Sequence, residues 1–167
     1  MSYSKMVIPN RSNHEWRYTP WEKIHPSKVE TVPAIKSARV QLNGKQIEAQ
    51  SVRDYDSNAE ISRTFLQESN NSMHSITIDE SHDCNVVEIE SDEPQVVCHV
   101  HITVESSTAL QIIFKGNCNW FGIHITSDIK ANSNLFVGIL NDLSKECKLL
   151  RCEDWNIHRD SHLTYGE

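Results

Sequence analysis

The feature that most restricts what this chain can fold into is a repeat. Residues 104–114, VESSTALQIIF, align without gaps with residues 129–139, IKANSNLFVGI, at an offset of 25. Both read as one apolar residue, five small or polar residues, Leu, then alternating apolar positions. The same frame fits IDESHDCNVVE, residues 78–88, with Cys84 in the place of the Leu. A weaker copy, IHRDSHL, lies at 157–163. Near-constant spacing of this kind marks a chain that stacks on itself coil by coil.

Within each copy the apolar residues alternate. In VVCHVHITV, Val96, Cys98, Val100, Ile102 and Val104 point one way, and Val97, His99, His101 and Thr103 the other. Each period holds two such runs and two turns, which makes it one rung of a flattened parallel β-helix with about 25 residues per rung. Val104, Leu110, Ile112 and Phe114 are then expected to stack on Ile129, Leu135, Val137 and Ile139 of the next rung. Ser, Asn and Gly clusters at 106–108, 116–119 and 132–134 supply the corners. An antiparallel sandwich with a strand every ten residues is the competing architecture; the repeat favours the all-β solenoid.

The chain divides into an N-terminal anchoring segment, 1–73, and a β-helix domain, 74–167. NHEWRYTPWEKI, residues 13–24, gathers three large rings. Thr19, Pro20 and Glu22 read as N-cap, first helical position and capping-box partner of a short helix that Pro26 ends. A helix of two turns is not stable alone, so Trp16, Tyr18 and Trp21 are expected to anchor it on the β-body. A hairpin follows at 38–49. Its Asn43-Gly44 pair provides the two positive φ angles of a type I′ turn and makes Val40 and Ile47 cross-strand partners. Residues 53–72, with Ile61, Phe65 and Leu66, carry a thin helical pattern.

Composition excludes some functions. A net charge of −7 with no clustered Lys or Arg argues against binding phosphate backbones. Apolar runs of four or five residues cannot span a bilayer, and no secretory leader pattern opens the sequence. Five cysteines without a tight framework suit a reducing, cytoplasmic setting. Hydrolase elbow, phosphate-loop and zinc-protease motifs are missing from the sequence, so a non-catalytic role is expected.

These elements resemble the SufB/SufD family of iron–sulfur cluster assembly proteins, more the SufD side. The head NHEWRYTPWEKI, through Trp16-Arg17-Tyr18-Thr19-Pro20, resembles that family's Glu-x-Trp-Lys/Arg-Tyr-Thr-Pro-Leu pattern, with Glu15 directly before Trp16 and Trp21 in the place of the Leu. The hairpin ARVQLNGKQIEA stands where the family has a strand-Asn/Asp-Gly-strand element, and VESSTAL and IKANSNL resemble its rung corners. The resemblance implies a right-handed parallel β-helix and a non-catalytic subunit working through protein–protein contacts. It also implies a SufB- or SufD-like partner or a second copy of the chain. Full members have a longer β-helix and a C-terminal helical domain that docks on a SufC-type ATPase, which nothing in this sequence matches. No cluster-related Cys or His can therefore be carried over.

Side chains with chemistry are few. His99 and His101 face the same side and could grip one zinc or iron ion; a site needs a third and usually a fourth ligand, and His124, of the same outward parity on the next rung, could contribute. Cys118, in a loop between two Asn, reads as the exposed thiol. Cys84 and Cys98 read as inward small hydrophobes, and Cys147 and Cys152 fall on opposite faces.

Two expectations concern the ends. The last rung, after Leu163, should present open backbone edges and an uncovered apolar layer, which favours a dimer built from residues 135–165. At the other end, Trp16→Ala or Trp21→Ala is expected to cost about 3–5 kcal/mol, as for large buried aromatics. Thermal melting checks this, and variants that melt like the parent would make the rings surface features.

Overall fold

Parallel strands in two sheets turn the repeat into a β-solenoid of about three turns. The computed structural model describes residues 37–51, 72–79 and 82–166. The anchor residues Trp16, Tyr18 and Trp21, the short capped helix and the 53–72 helical pattern up to residue 71 lie outside them, and Ser72 begins a strand. Eleven strands are described in order: β1 (Arg39–Leu42), β2 (Lys45–Ile47), β3 (Ala49–Ser51), β4 (Ser72–Ile78), β5 (Cys84–Glu90) and β6 (Gln95–Val104). Then come β7 (Thr108–Gly116), β8 (Trp120–Ile129), β9 (Asn134–Leu143), β10 (Lys148–Ile157) and β11 (His162–Gly166). One sheet has the order β10-β8-β6-β4-β3 and the other β11-β9-β7-β5-β1-β2, with every pairing from β4 onward parallel between alternate strands.

The interior lies between the sheets. Val96, Cys98, Val100, Ile102 and Val104 stack on Phe121, Ile123, Ile125, Ser127 and Ile129, all on the inward side. From the facing sheet come Val87 and Ile89, then Leu110, Ile112 and Phe114, then Leu135, Val137 and Ile139. Phe114 and Phe121 meet across the interior with ring centroids 6.0 Å apart. Isoleucine and valine suit this arrangement because branched side chains fill the pleat and touch the same residue type one strand away.

Register departs from the repeat frame at two places. Val104 pairs with Ile129 as the 25-residue offset requires, but Leu110 pairs with Val137, Ile112 with Ile139 and Phe114 with Asn141. The turn after β8 is two residues longer than the one after β6, and a two-residue slide keeps every side chain on its face. One rung earlier, Ile78 pairs with Val104 while Asn85, not Cys84, pairs with Leu110. That is a one-residue slip, which exchanges faces. Cys84 is therefore exposed, and Asn85 is the buried residue, donating through Nδ2 to Thr108 Oγ1 at 3.0 Å.

The first rung is closed by antiparallel strands. The expected hairpin forms with Val40 opposite Ile47 around Asn43 (φ 50°) and Gly44 (φ 77°). β1 lies antiparallel on β5, and β3 antiparallel on β4, so both sheet edges are covered here. Asn43 stitches the hairpin to β5: its amide donates to Val86 O and its Oδ1 accepts from Val86 N, both at 2.8 Å, while its Nδ2 donates to Asn85 Oδ1 at 2.9 Å.

The last rung differs from the apolar layer expected of it. β10 sets Arg151 and Glu153 beside the inward Ile123 and Ile125 of β8. The Glu153 carboxylate accepts from Arg151 Nε at 2.7 Å, from Trp155 Nε1 at 2.8 Å and from the Tyr165 hydroxyl at 2.8 Å. The Arg151 guanidinium lies 5.9 Å from the Tyr165 ring centre, and Trp155 meets that ring edge-on at 6.4 Å. A charged but mutually hydrogen-bonded plug thus covers the apolar stack.

The corner at Gly116 tolerates no side chain. Its φ is 134°, and a Cβ placed there would sit 1.8 Å from the Ser91 carbonyl oxygen. Ser91 N also donates to Lys115 O, which locks the two corners together. Gly116→Ala is expected to cost about 3 kcal/mol or more, from strained backbone and displaced corner combined. Urea denaturation checks it; a loss under about 1 kcal/mol would mean that the corner yields freely.

Candidate functional site

The outer face of the β6–β8–β10 sheet brings together His99, His101, His124, Thr126 and Asp154. Parallel pairing sets His99 directly beside His124 and His101 beside Thr126. The His99 and His124 rings meet edge-on with centroids 4.6 Å apart. Both are buried, unlike a solvated polar face, and their neighbours Val97, Trp120, Leu150 and Cys152 are buried too. Sequence alternation gives the parity of this face; it carries no information about its burial.

Two of the rings share one partner. Thr126 Oγ1 lies 2.9 Å from His101 Nδ1 and 3.4 Å from His99 Nε2. His124 Nε2 lies 2.9 Å from Asp154 Oδ2, on the exposed edge strand β10. Further along, Asp128 binds Lys130, His158 Nε2 at 2.5 Å and Asn156 Nδ2 at 3.2 Å. Lys130 and then His158 hold the Asp128 carboxyl below the usual range.

Burial decides the charge of the histidines. His99 is pushed down to about 3, first by burial and then by the neighbouring His124, His101 and His74. His124 is lowered by burial against the opposing pull of Asp154, and His101 is lowered by burial as well. Neutral imidazole is the form that ligates metals, yet one nitrogen of each ring already has a described partner. Asp154 occupies His124 Nε2, and Thr126 sits at His101 Nδ1 and near His99 Nε2. Among the described residues no group of three or more His, Cys, Asp or Glu is arranged to hold a metal. Of the expected trio, His99 and His124 come together and His101 turns to Thr126.

The same hydrogen bonds bear on catalysis. A nucleophile–base–carboxylate relay needs one histidine that touches both the hydroxyl and the acid. Among the described residues, Thr126 contacts His99 and His101, whereas Asp154 contacts His124.

A second group is at the corners. Cys118, expected to be exposed, is buried, and its sulfur lies 3.7 Å from Cys147 Sγ. The signal for this pair is their separation of 29 residues, close to the 28-residue offset of β8 and β10. Cys98 and Cys152 are pushed up to about 12, in both cases chiefly by burial. Among the described residues, no helix is long and apolar enough to cross a membrane. Compared with known proteins, the chain matches no family model, no curated protein and no solved structure.

The buried histidines imply a direction of pH dependence. His99 and His124 titrate below an unfolded histidine, whose value is about 6.5. Below that value the unfolded chain binds more protons, so stability is full above about pH 6.5 and falls as the pH drops. For His99 the loss continues until about pH 3. The parent should lose up to about 1.4 kcal/mol per pH unit for each such histidine between pH 6 and 5, and His99→Gln less. Denaturant titrations at the two pH values check this; equal pH slopes for parent and variant would show that His99 is not held neutral.

Proposed function

We propose that this chain is a non-catalytic β-solenoid subunit that works by pairing its open strand edges with another protein, as a SufD-like component of iron–sulfur cluster assembly. One observation carries the strand-pairing part. Among the described residues, the first-rung edges are covered by β1 and β3, whereas no strand pairs with the outer edges of β10 and β11. These parallel edges offer two rows of backbone donors and acceptors, and such rows are templates for another strand. The Glu153 plug suits the role, because it covers the apolar interior and leaves the edge backbone available. Exposed apolar side chains lie beside the edges, with Ile157 at the end of β10 and Tyr165 on β11.

The iron–sulfur assignment rests on the head motif, the Asn-Gly hairpin and the rung corners, whose resemblance to SufB/SufD proteins fits a solenoid fold. Under this reading the partner is a SufB- or SufD-like subunit or a second copy of the chain, in the cytoplasm, with a SufC-type ATPase joining only through a longer protein. No cofactor is assigned to the chain itself.

Sedimentation at micromolar concentration tests the edge. The parent is expected to sediment as a dimer, and Ile157→Asp to weaken association at least tenfold, about 1.4 kcal/mol, with little change in melting temperature. A parent that stays monomeric and retains no SufB- or SufD-like subunit in a pull-down would overturn the proposal. A dimer unaffected by Ile157→Asp would move the contact away from this edge.

A further inference from the structure

Two corner loops, one between β7 and β8 and one between β9 and β10, lie on successive rungs and each carries a cysteine. Cys118 is buried at 2% exposure, Cys147 is half-buried above it, and both are free thiols with sulfurs 3.7 Å apart. The backbone fixes this approach. Ser144 N donates to Gly116 O at 3.1 Å, Ser144 Oγ donates to Cys118 O at 3.1 Å, and Lys148 N donates to Asn119 O at 3.0 Å. Cys147 N closes its own turn on Ser144 O at 2.9 Å. The sulfurs are therefore carried by hydrogen-bonded rungs and not by independent loops.

We propose that Cys118 and Cys147 are a reactive dithiol, a site at which a small hydroperoxide is reduced and a disulfide closes between successive rungs. The Cys147 S–H bonded to Cys118 holds the Cys118 thiol below its ordinary range, against the effect of burial. The same bond and burial push Cys147 up. Cys118 is thus the sulfur that more readily carries the thiolate, and the thiolate is the nucleophile. Cys98 and Cys152 are buried and pushed up to about 12. Cys84 is exposed on the outer face, with no second sulfur in reach among the described residues.

The chemistry balances in two steps. The Cys118 thiolate attacks one oxygen of the hydroperoxide; the S–O bond forms, the O–O bond breaks, and the leaving alkoxide or hydroxide takes up a proton. Cys118 is now a sulfenic acid. The Cys147 sulfur then attacks the Cys118 sulfur; the S–S bond forms, the S–O bond breaks, and hydroxide leaves with the Cys147 proton as water. The dithiol has given two electrons and two protons, and the peroxide has become water plus an alcohol, or two waters when it is hydrogen peroxide. Only a small oxidant is suitable, because Cys118 is almost covered.

Treatment of the full chain with hydrogen peroxide tests this by mass spectrometry without reductant. The expected product is 2 Da lighter, and trypsin should release residues 116–130 linked to residues 146–148. This link should form at least tenfold faster than any modification of Cys84. It should raise the melting temperature by about 5–10 °C, as expected for a cross-link closing a loop of this length, and dithiothreitol should reverse the rise. In Cys147→Ser, dimedone should trap a sulfenic acid on Cys118. Oxidation of Cys84 ahead of the pair, or conversion of Cys118 to the sulfinic acid without a cross-link, would overturn the proposal. Should Cys147→Ser fail to fold, the parent digest alone decides.

Discussion

From β4 onward the described structure depends on parallel strands meeting in register, with the inward residue of one rung seated on the inward residue of the next. Backbone hydrogen bonds fix the strand spacing at about 4.8 Å, so Val100 on Ile125 and Ile112 on Ile139 are in contact by construction. Rungs need not be equal in length, but any difference must be absorbed at a corner. Two extra residues before β9 slide the pairing and preserve the core; a single-residue difference before β5 exchanges faces. The second change is tolerated because it lands at a corner, where Asn85 can bond Thr108 and Asn43, and Thr108 Oγ1 can bond the His82 carbonyl at 3.2 Å. The same exchange in mid-strand would bury a polar residue without partners.

The two ends meet the stacking constraint differently. At the first rung the chain reverses direction, and antiparallel β1 and β3 satisfy the sheet edges with backbone. At the last rung the side chains cover the interior. Glu153 gathers three donors, and its 15% side-chain exposure leaves those charge-assisted bonds little competition from water. One end is therefore finished by antiparallel strands, with β2 and β3 outermost among the described residues; the other has side chains over its core and parallel edges at β10 and β11. This asymmetry gives the strand-pairing proposal a direction along the solenoid axis.

Much of the fold was legible in the sequence because it is written in short-range chemistry. Asn43-Gly44 specifies a hairpin register by turn type alone, and the alternation in 96–104 assigns a face to each residue. The 28-residue offset to the last rung also matches the pairing, with Ile157 beside Ile129 and Leu163 beside Leu135. The parts that are not legible depend on corner length or burial, which a gapless alignment cannot supply. Cys84 is a Leu equivalent only if the corners are equal in length. At the last rung the available signal is the alternation of Arg151 and Glu153 with Leu149 and Trp155, which places charges inward. Asn neighbours usually mark surface loops, but the next corner lies over Cys118.

A parallel solenoid also changes which residues should be sought together. Two residues apart on one strand are about 6.6 Å apart along it, farther than the spacing between strands. His99 therefore meets His124, 25 residues away, with ring centroids at 4.6 Å, while His101 finds Thr126. Cys118 meets Cys147 and not another nearby thiol, and Asp128 meets His158 one rung on. Motifs defined by local spacing, such as His-x-His or two cysteines five apart, describe hairpins and helices, where sequence neighbours share a face. Here the informative interval is the rung. Side chains at offsets of 25 to 30 residues are brought together by backbone pairing that forms for other reasons, so holding a functional pair in place adds no ordering cost beyond that of the fold itself.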